Sequence, residues 1–279
     1  MRTPALALVL IAAVSTSVEA APPQSGPAFK PIEIESLDKL KITADLYAPH
    51  ADKKTPFIVL CHQAGFSRGE YREIAPKLNK MGFNCVAIDQ RSGRGVDRIE
   101  NETAKRAAAA GKSTQYPDAE QDMIAAVQFV RKNHAKGKVI LWGSSYSSAL
   151  ALRIAGEQPK LVDAVLAFAP GEYFARLGKP NDWVTQSAKK IQVPAFITSA
   201  KNEYNNWKGI YAAIPGKSKS MFLPKTKGNH GSRALWSKMS DNKSYWDAVT
   251  PFLAKAAGRP MAGSGTKAGS GTKAGSGKK

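Results

Sequence analysis

Trp142-Gly143-Ser144-Ser145-Tyr146-Ser147-Ser148 follows a short apolar run, Val139 to Trp142, and leads into a stretch that reads as helix, Ala149 to Ala155. A serine two residues after a glycine, set between strand and helix, marks a sharp turn that lifts one hydroxyl off the end of a sheet. Positions 143 and 147 must be small, because strand and helix pass close together there. Gly143 meets that need, and Ser147 stands where glycine is more usual. A hydroxyl held this way can attack a carbonyl carbon, so Ser145 is the candidate nucleophile. Ser144 and Ser148 lie off-centre and read as structural.

A serine hydroxyl needs a base to become nucleophilic. His50 falls in a loop after the first two strands, His134 follows a surface helix, and His62 abuts the first central strand. His230 lies in Gly228-Asn229-His230-Gly231, just after the last strand, where flexible glycines suit a ring that must reach another strand's end. His230 is therefore the candidate base. A third group must orient the imidazole and stabilise its charged form. Glu203 follows the strand Pro194 to Thr198 and is the first choice, with Glu172, past the preceding strand, as the alternative.

The elements that must position these groups alternate. Pro31 to Ser36 and Leu40 to Leu46 predict an antiparallel hairpin. Phe57 to Cys61, Asn84 to Ile88, Val139 to Trp142, Asp163 to Ala169 and Pro194 to Thr198 read as strands, with a short one at Ser220 to Leu223. Tyr71 to Met81, Pro117 to Val130, Ala149 to Ala155 and Trp246 to Ala256 read as helices, and Gln90 to Tyr116 as a polar loop. Near-continuous apolar strands alternating with helices predict an α/β fold: a mainly parallel sheet with helices on both faces and the hairpin at one edge. No linker splits residues 27–258.

The order Ser145, Glu203, His230 and the Gly143-to-Ser147 turn resemble the α/β-hydrolase superfamily, closest to its dienelactone-hydrolase-like branch, over about residues 30–257. The resemblance implies an α/β-hydrolase fold and a serine hydrolase. Ser145 would attack a carbonyl while His230 takes its proton, and water would then release the acyl group. The loop after the first central strand, His62-Gln63-Ala64-Gly65, departs from the family's usual His-Gly. It would supply one oxyanion donor, the N–H of Ala64 with Gln63 as the alternative, and the N–H of Tyr146 would supply the other. Activity is expected to rise with pH as the base loses its proton, with a midpoint of about 6–7. Only about twenty residues separate the strands ending at Ala169 and starting at Pro194, which implies a minimal lid and an open site. Phe66, Tyr146, Tyr173, Phe174, Trp183 and Tyr204 are candidates for its rim.

Other signals bound the function. Arg106 to Thr114 looks like a phosphate loop, but it lacks the first glycine and a preceding strand. Four histidines and two cysteines without ligand spacing make no zinc site, so neither a metal nor a cofactor is expected. Cys61 and Cys85 read as buried free thiols, Asp89 and Arg91 as a structural ion pair, and Asn101-Glu102-Thr103 as a glycosylation sequon. Residues 1–20 read as a signal peptide: Arg2, ten apolar residues from Ala5 to Val14, and a small residue at Ala20. A periplasmic or secreted protein with no stable membrane anchor is expected. Residues 259–279, with AGSGTK repeated, read as a low-complexity basic tail. The net charge of +19 comes from scattered lysines rather than lysines clustered with aromatics, which speaks against nucleic-acid binding. The expected partner is a small-molecule ester or lactone. The alternatives are a peptidase or amidase using the same triad, or a non-catalytic hydrolase fold that binds a polyanion. The sequence leaves the oligomeric state open.

Overall fold

A computed structural model describes residues 28–258; the signal-like segment and the basic tail lie outside the described residues. Eight strands form one sheet in the order β1-β2-β4-β3-β7-β8-β9-β10. They are β1 (Lys30–Glu35), β2 (Lys41–Tyr47), β3 (Phe57–Cys61), β4 (Asn84–Ile88), β7 (Val139–Ser144), β8 (Ala164–Phe168), β9 (Ala195–Thr198) and β10 (Lys219–Phe222). From β4 to β10 every pairing is parallel, whereas β1 pairs with β2 and β2 with β4 antiparallel. The expected hairpin is thus the edge of the sheet.

The central strands are apolar end to end because both faces are covered. Phe57, Val59 and Cys61 point into the core shared with α3 (Glu120–Asn133), α4 (Tyr146–Glu157), α5 (Trp183–Ala188) and α6 (Tyr204–Ala213). Ile58 and Leu60 point into the opposite core, shared with α1 (Ile74–Lys80) and α7 (Asn242–Ala257). Cys61 is in register with Ile88, three residues past Cys85, so the two cysteines face opposite sides of the sheet. Both are free and buried. Among the described residues no helix is long and apolar enough to cross a membrane.

The stretch 90–116 is not the featureless loop expected. It contains a small hairpin, β5 (Gly95–Val96) with β6 (Ile99–Glu100), and the helix α2 (Glu102–Ala109). Asn101 caps α2, accepting from the Ala104 N–H at 2.8 Å, while its amide nitrogen donates to the Gln90 carbonyl at 2.9 Å. Being 1% exposed, the Asn101 amide is committed to the fold, and the sequon has no free acceptor in the folded protein.

Asp89 and Arg91 do not pair with each other. Asp89 binds Arg68 at 2.6 Å, and burial pushes its carboxyl up to about 6 despite that partner. Arg91 faces the other way and binds Asp122 at 2.7 Å and Asp38 at 2.9 Å. Arg91 is 2% exposed and Asp122 0%, so neither can fall back on water. Losing Asp122 leaves Arg91 with the Asp38 carboxylate alone and deprives the buried Arg91 N–H and Ser36 hydroxyl of their acceptor, a cost of about 3–5 kcal/mol. Asp122→Ala is therefore expected to lower the midpoint of thermal unfolding by roughly 6–20 °C. A scanning-calorimetry shift under 2 °C would show that Arg91 finds other compensation.

Candidate active site

Parallel strands bring their carboxyl ends to one edge of the sheet, and the loops that leave them meet there. Ser145 leaves β7, residues 199–203 leave β9, and the loop with His230 follows β10. The residues after β3 reach the same edge, since Cys61 is in register with Gly143.

Ser145 sits in the turn between β7 and α4 at φ 57, ψ −122, a conformation that costs a non-glycine residue on the order of 1–3 kcal/mol. Its surroundings hold it there. A Cβ on Gly143 would collide with the backbone of Ser147 and Ser148, so only glycine fits the approach. Ser147 is tolerated in the usual glycine place because its hydroxyl is absorbed: it accepts from the Ser144 N–H and donates to the Cys61 carbonyl, both at 2.8 Å. The Ser148 hydroxyl donates to the Ser145 carbonyl at 2.6 Å.

His230 and Glu203 meet. The Nδ1–H of His230 donates to Glu203 Oε1 at 2.5 Å, which leaves Nε2 as the acceptor. Glu203 is itself held by the Ala200 N–H, at 3.1 Å from Oε2. Glu172, the other candidate acid, is elsewhere: its two oxygens accept from the Val184 and Thr185 N–H groups at the start of α5, at 2.9 and 2.8 Å. The loop carrying His230 is fastened at both sides. Asn229 binds Asp241 at 3.0 Å, and the Ser232 N–H donates to the Ser144 hydroxyl at 2.8 Å. That last bond ties the residue before Ser145 to the residue two after His230.

The hydrogen bonds of the described residues include none between Ser145 and His230. The Tyr173 hydroxyl, which donates to the Ala169 carbonyl at 2.6 Å, lies near Ser145. Burial and the nearby Glu203 charge push the Tyr173 hydroxyl well above its usual range, so Tyr173 touches the surroundings of both Ser145 and Glu203. Catalytic hydrogen bonds commonly tighten only once substrate is bound. Of the other rim candidates, Tyr146 and Phe174 belong to the core at 2% and 1% exposure, and Trp183 and Tyr204 pack against that core. Phe66 stacks on Trp236 with ring centroids 6.1 Å apart.

The two candidate oxyanion donors differ in availability. The Gln63 N–H is taken, donating to Glu70 Oε2 at 2.7 Å. The Ala64 N–H has no backbone or side-chain acceptor among the described residues, and Tyr146, first residue of α4, has an amide with no carbonyl one turn back. His62 is structural. Burial pushes its imidazole down to about 4; Nδ1 bonds the Gln63 carbonyl at 2.9 Å, and Nε2 accepts from the Gln90 N–H at 3.1 Å.

A cavity of about 560 Å³ opens beside Gly65, walled by residues 92–94, by one face of α2 and by Tyr116. Tyr116 packs on Tyr146 with ring centroids 4.5 Å apart, which sets the cavity next to the Ser145 turn. Its lining comes from Gly65 and the stretch between β4 and α3 and includes none of Ser145, Glu203 and His230. Two contributors were not legible from spacing. Glu70 lies in a single 3-10 turn, Arg68–Tyr71, with no periodicity to mark it, and the strand-end hydroxyl of Ser144 turns out to bridge two loops.

Comparison with known proteins fits this arrangement. The family model described as serine aminopeptidase, S33, matches residues 52–193. Esterase Pf2001 of Pyrococcus furiosus superposes with a TM-score of 0.64 at 18% identity, covering 81% of this chain and 92% of that one. A dienelactone hydrolase from Anabaena variabilis gives 0.61 at 15% identity, covering 82% and 98%. Est1E from Butyrivibrio proteoclasticus, solved with ferulic acid bound, gives 0.63 at 13% identity, covering 82% and 100%. At such identities the likeness concerns the fold. No curated protein sequence matches the chain.

Proposed function

Because the chain belongs to the serine aminopeptidase S33 family of α/β-hydrolases, a family of hydrolytic enzymes, we propose that it cleaves small-molecule carboxylic esters or lactones through an acyl-enzyme intermediate. One observation carries the reading. The Glu203-oriented His230 rides on a loop bonded to Ser144, and the next residue is a serine held in the left-handed turn. Ser145 attacks the carbonyl and His230 Nε2 takes its proton. The Ala64 and Tyr146 N–H groups receive the oxyanion, a contribution of about 3–4 kcal/mol per donor in comparable sites. His230 then protonates the leaving group, Glu203 balances the imidazolium, and water repeats the sequence on the acyl-enzyme.

The family's description favours a second substrate class, peptides with a free amino terminus. We propose that substrate enters by the cavity beside Gly65, where Arg94 and Lys105 stand against one carboxylate, Glu100, already 3.9 Å from Lys105, so that an ammonium group would meet a net positive wall. The signal-like residues 1–20 support action after export.

A fluorophosphonate probe is expected to label the wild-type protein once per chain on the peptide containing Ser145, and to leave Ser145→Ala unlabelled. In a panel of p-nitrophenyl esters, lactones and aminoacyl anilides, esters and lactones are expected to turn over and anilides to lag by at least about 100-fold. Label on another residue, or faster anilide than ester cleavage, would overturn the assignment.

A further inference from the structure

Glu70 is fully buried, yet no lysine, arginine or histidine forms an ion pair with it among the described residues. Its partners are neutral donors from separate segments. The Gln63 N–H donates to Oε2 and the Ser144 hydroxyl to Oε1, each at 2.7 Å. The Ser144 oxygen in turn accepts from the Ser232 N–H at 2.8 Å, so its proton is committed to Glu70. The Trp236 indole closes the arrangement, donating to the Glu70 carbonyl at 2.8 Å. A Cβ on Gly231 would collide with Gln63 Oε1 and Ser144 Oγ, which shows how tightly the histidine loop is drawn onto this group.

We propose that Glu70 is a positioning residue for the hydrolysis. Its carboxylate locks the loop bearing the Ala64 N–H to the turn bearing Ser145 and, through Ser144, to the loop bearing His230. The inference rests on the serine-hydrolase reading above. An uncharged side chain of similar size would fill the space without the penalty of burying a charge. What only a carboxylate supplies is two oxygens that accept at once from two segments. Protonation turns one oxygen into a donor, and the arrangement in which both oxygens accept from a neighbouring segment as carboxylate oxygens is lost. Burial raises this carboxyl from its ordinary value to about 7; Ser144, Gln63, His230 and Arg233 hold it down against that, and the other titratable neighbour is Tyr71, on its own turn. The locked form is therefore present above about pH 7 and is lost as pH falls through that value.

The test is the pH dependence of p-nitrophenyl acetate hydrolysis. In the wild type, log kcat/KM is expected to fall on the acid side with a slope steeper than one, because protonation of Glu70 adds to the loss of the free base. Glu70→Gln keeps the volume and is expected to lower kcat about 10- to 100-fold with KM within twofold, and to reduce that slope to one. A purely structural role would change the melting temperature and leave the slope alone. A wild-type slope of one, or an E70Q enzyme with the wild-type kcat and profile, would overturn the proposal. Should E70Q not fold, Ser144→Ala cuts the same link from the other side. It is expected to lower kcat by about 10-fold and to move the second ionisation upward, and a wild-type profile there overturns the proposal too. Fluorophosphonate labelling separates the two readings. Normal labelling at Ser145 with unaltered E70Q kinetics sinks only the role of Glu70, whereas no labelling of the wild type sinks the reading beneath it.

Discussion

Ser145→Ala is expected to reduce kcat for p-nitrophenyl acetate by roughly 10³- to 10⁶-fold while leaving KM within a few-fold. The substitution removes one oxygen from a side chain that is 8% exposed, so little packing is lost. Alanine at the same left-handed φ costs about what serine does, because both carry a Cβ. The Ala64 and Tyr146 amides and the cavity survive, so residual hydrolysis above the uncatalysed rate is part of the expectation. Loss confined to about tenfold would mean that another hydroxyl does the chemistry. Ser144 and Ser148 are poorly suited to it, since each already donates its proton at 2.7 and 2.6 Å.

Glu203→Gln should cost roughly 10²- to 10⁴-fold in kcat. An amide in that place either points its nitrogen at His230 Nδ1, which forces the proton to Nε2 where the base is needed, or turns its oxygen there and loses the charge that balances the imidazolium. The control is Glu172→Gln. That side chain accepts two amide protons at the start of α5, far from the imidazole in bonding terms. Its replacement is expected to leave kcat within about twofold and to cost about 0.5–2 kcal/mol of stability, as the loss of a helix-start acceptor does. If the two variants exchanged these phenotypes, the acid would have been misassigned.

How much of this could be read beforehand follows the strength of each local signal. β3 and β4 have the expected bounds, because runs of five and four consecutive apolar residues, Phe57–Cys61 and 85–88, leave few alternatives. The Ser145 turn was legible because its steric demand falls on fixed positions, and His230 because glycines flank it. α2 was missed for the converse reason: it buries only Thr103 and Ala107 and shows no apolar stripe, although Asn101 three residues before an amide it caps is a readable start. Asp89 and Arg91 show where adjacency misleads. Two residues apart at a strand end, they feed separate networks, one through Arg68 and one through Asp122. The sequence ranks Glu203 ahead of Glu172 although each follows a strand, and α5, whose first amides Glu172 accepts, is what takes Glu172 away from the imidazole. Glu70 was invisible, because its partners lie 7, 74 and 166 residues away.

The sheet that keeps Cys61 and Cys85 on opposite faces has a bearing on where the chain can be made. With no sulfur–sulfur cross-link to form or to break, the domain owes nothing to the redox poise around it. Dithiothreitol has no bond to open and an oxidising bath no neighbouring pair to join. The same fold is expected to form in a reducing and in an oxidising medium.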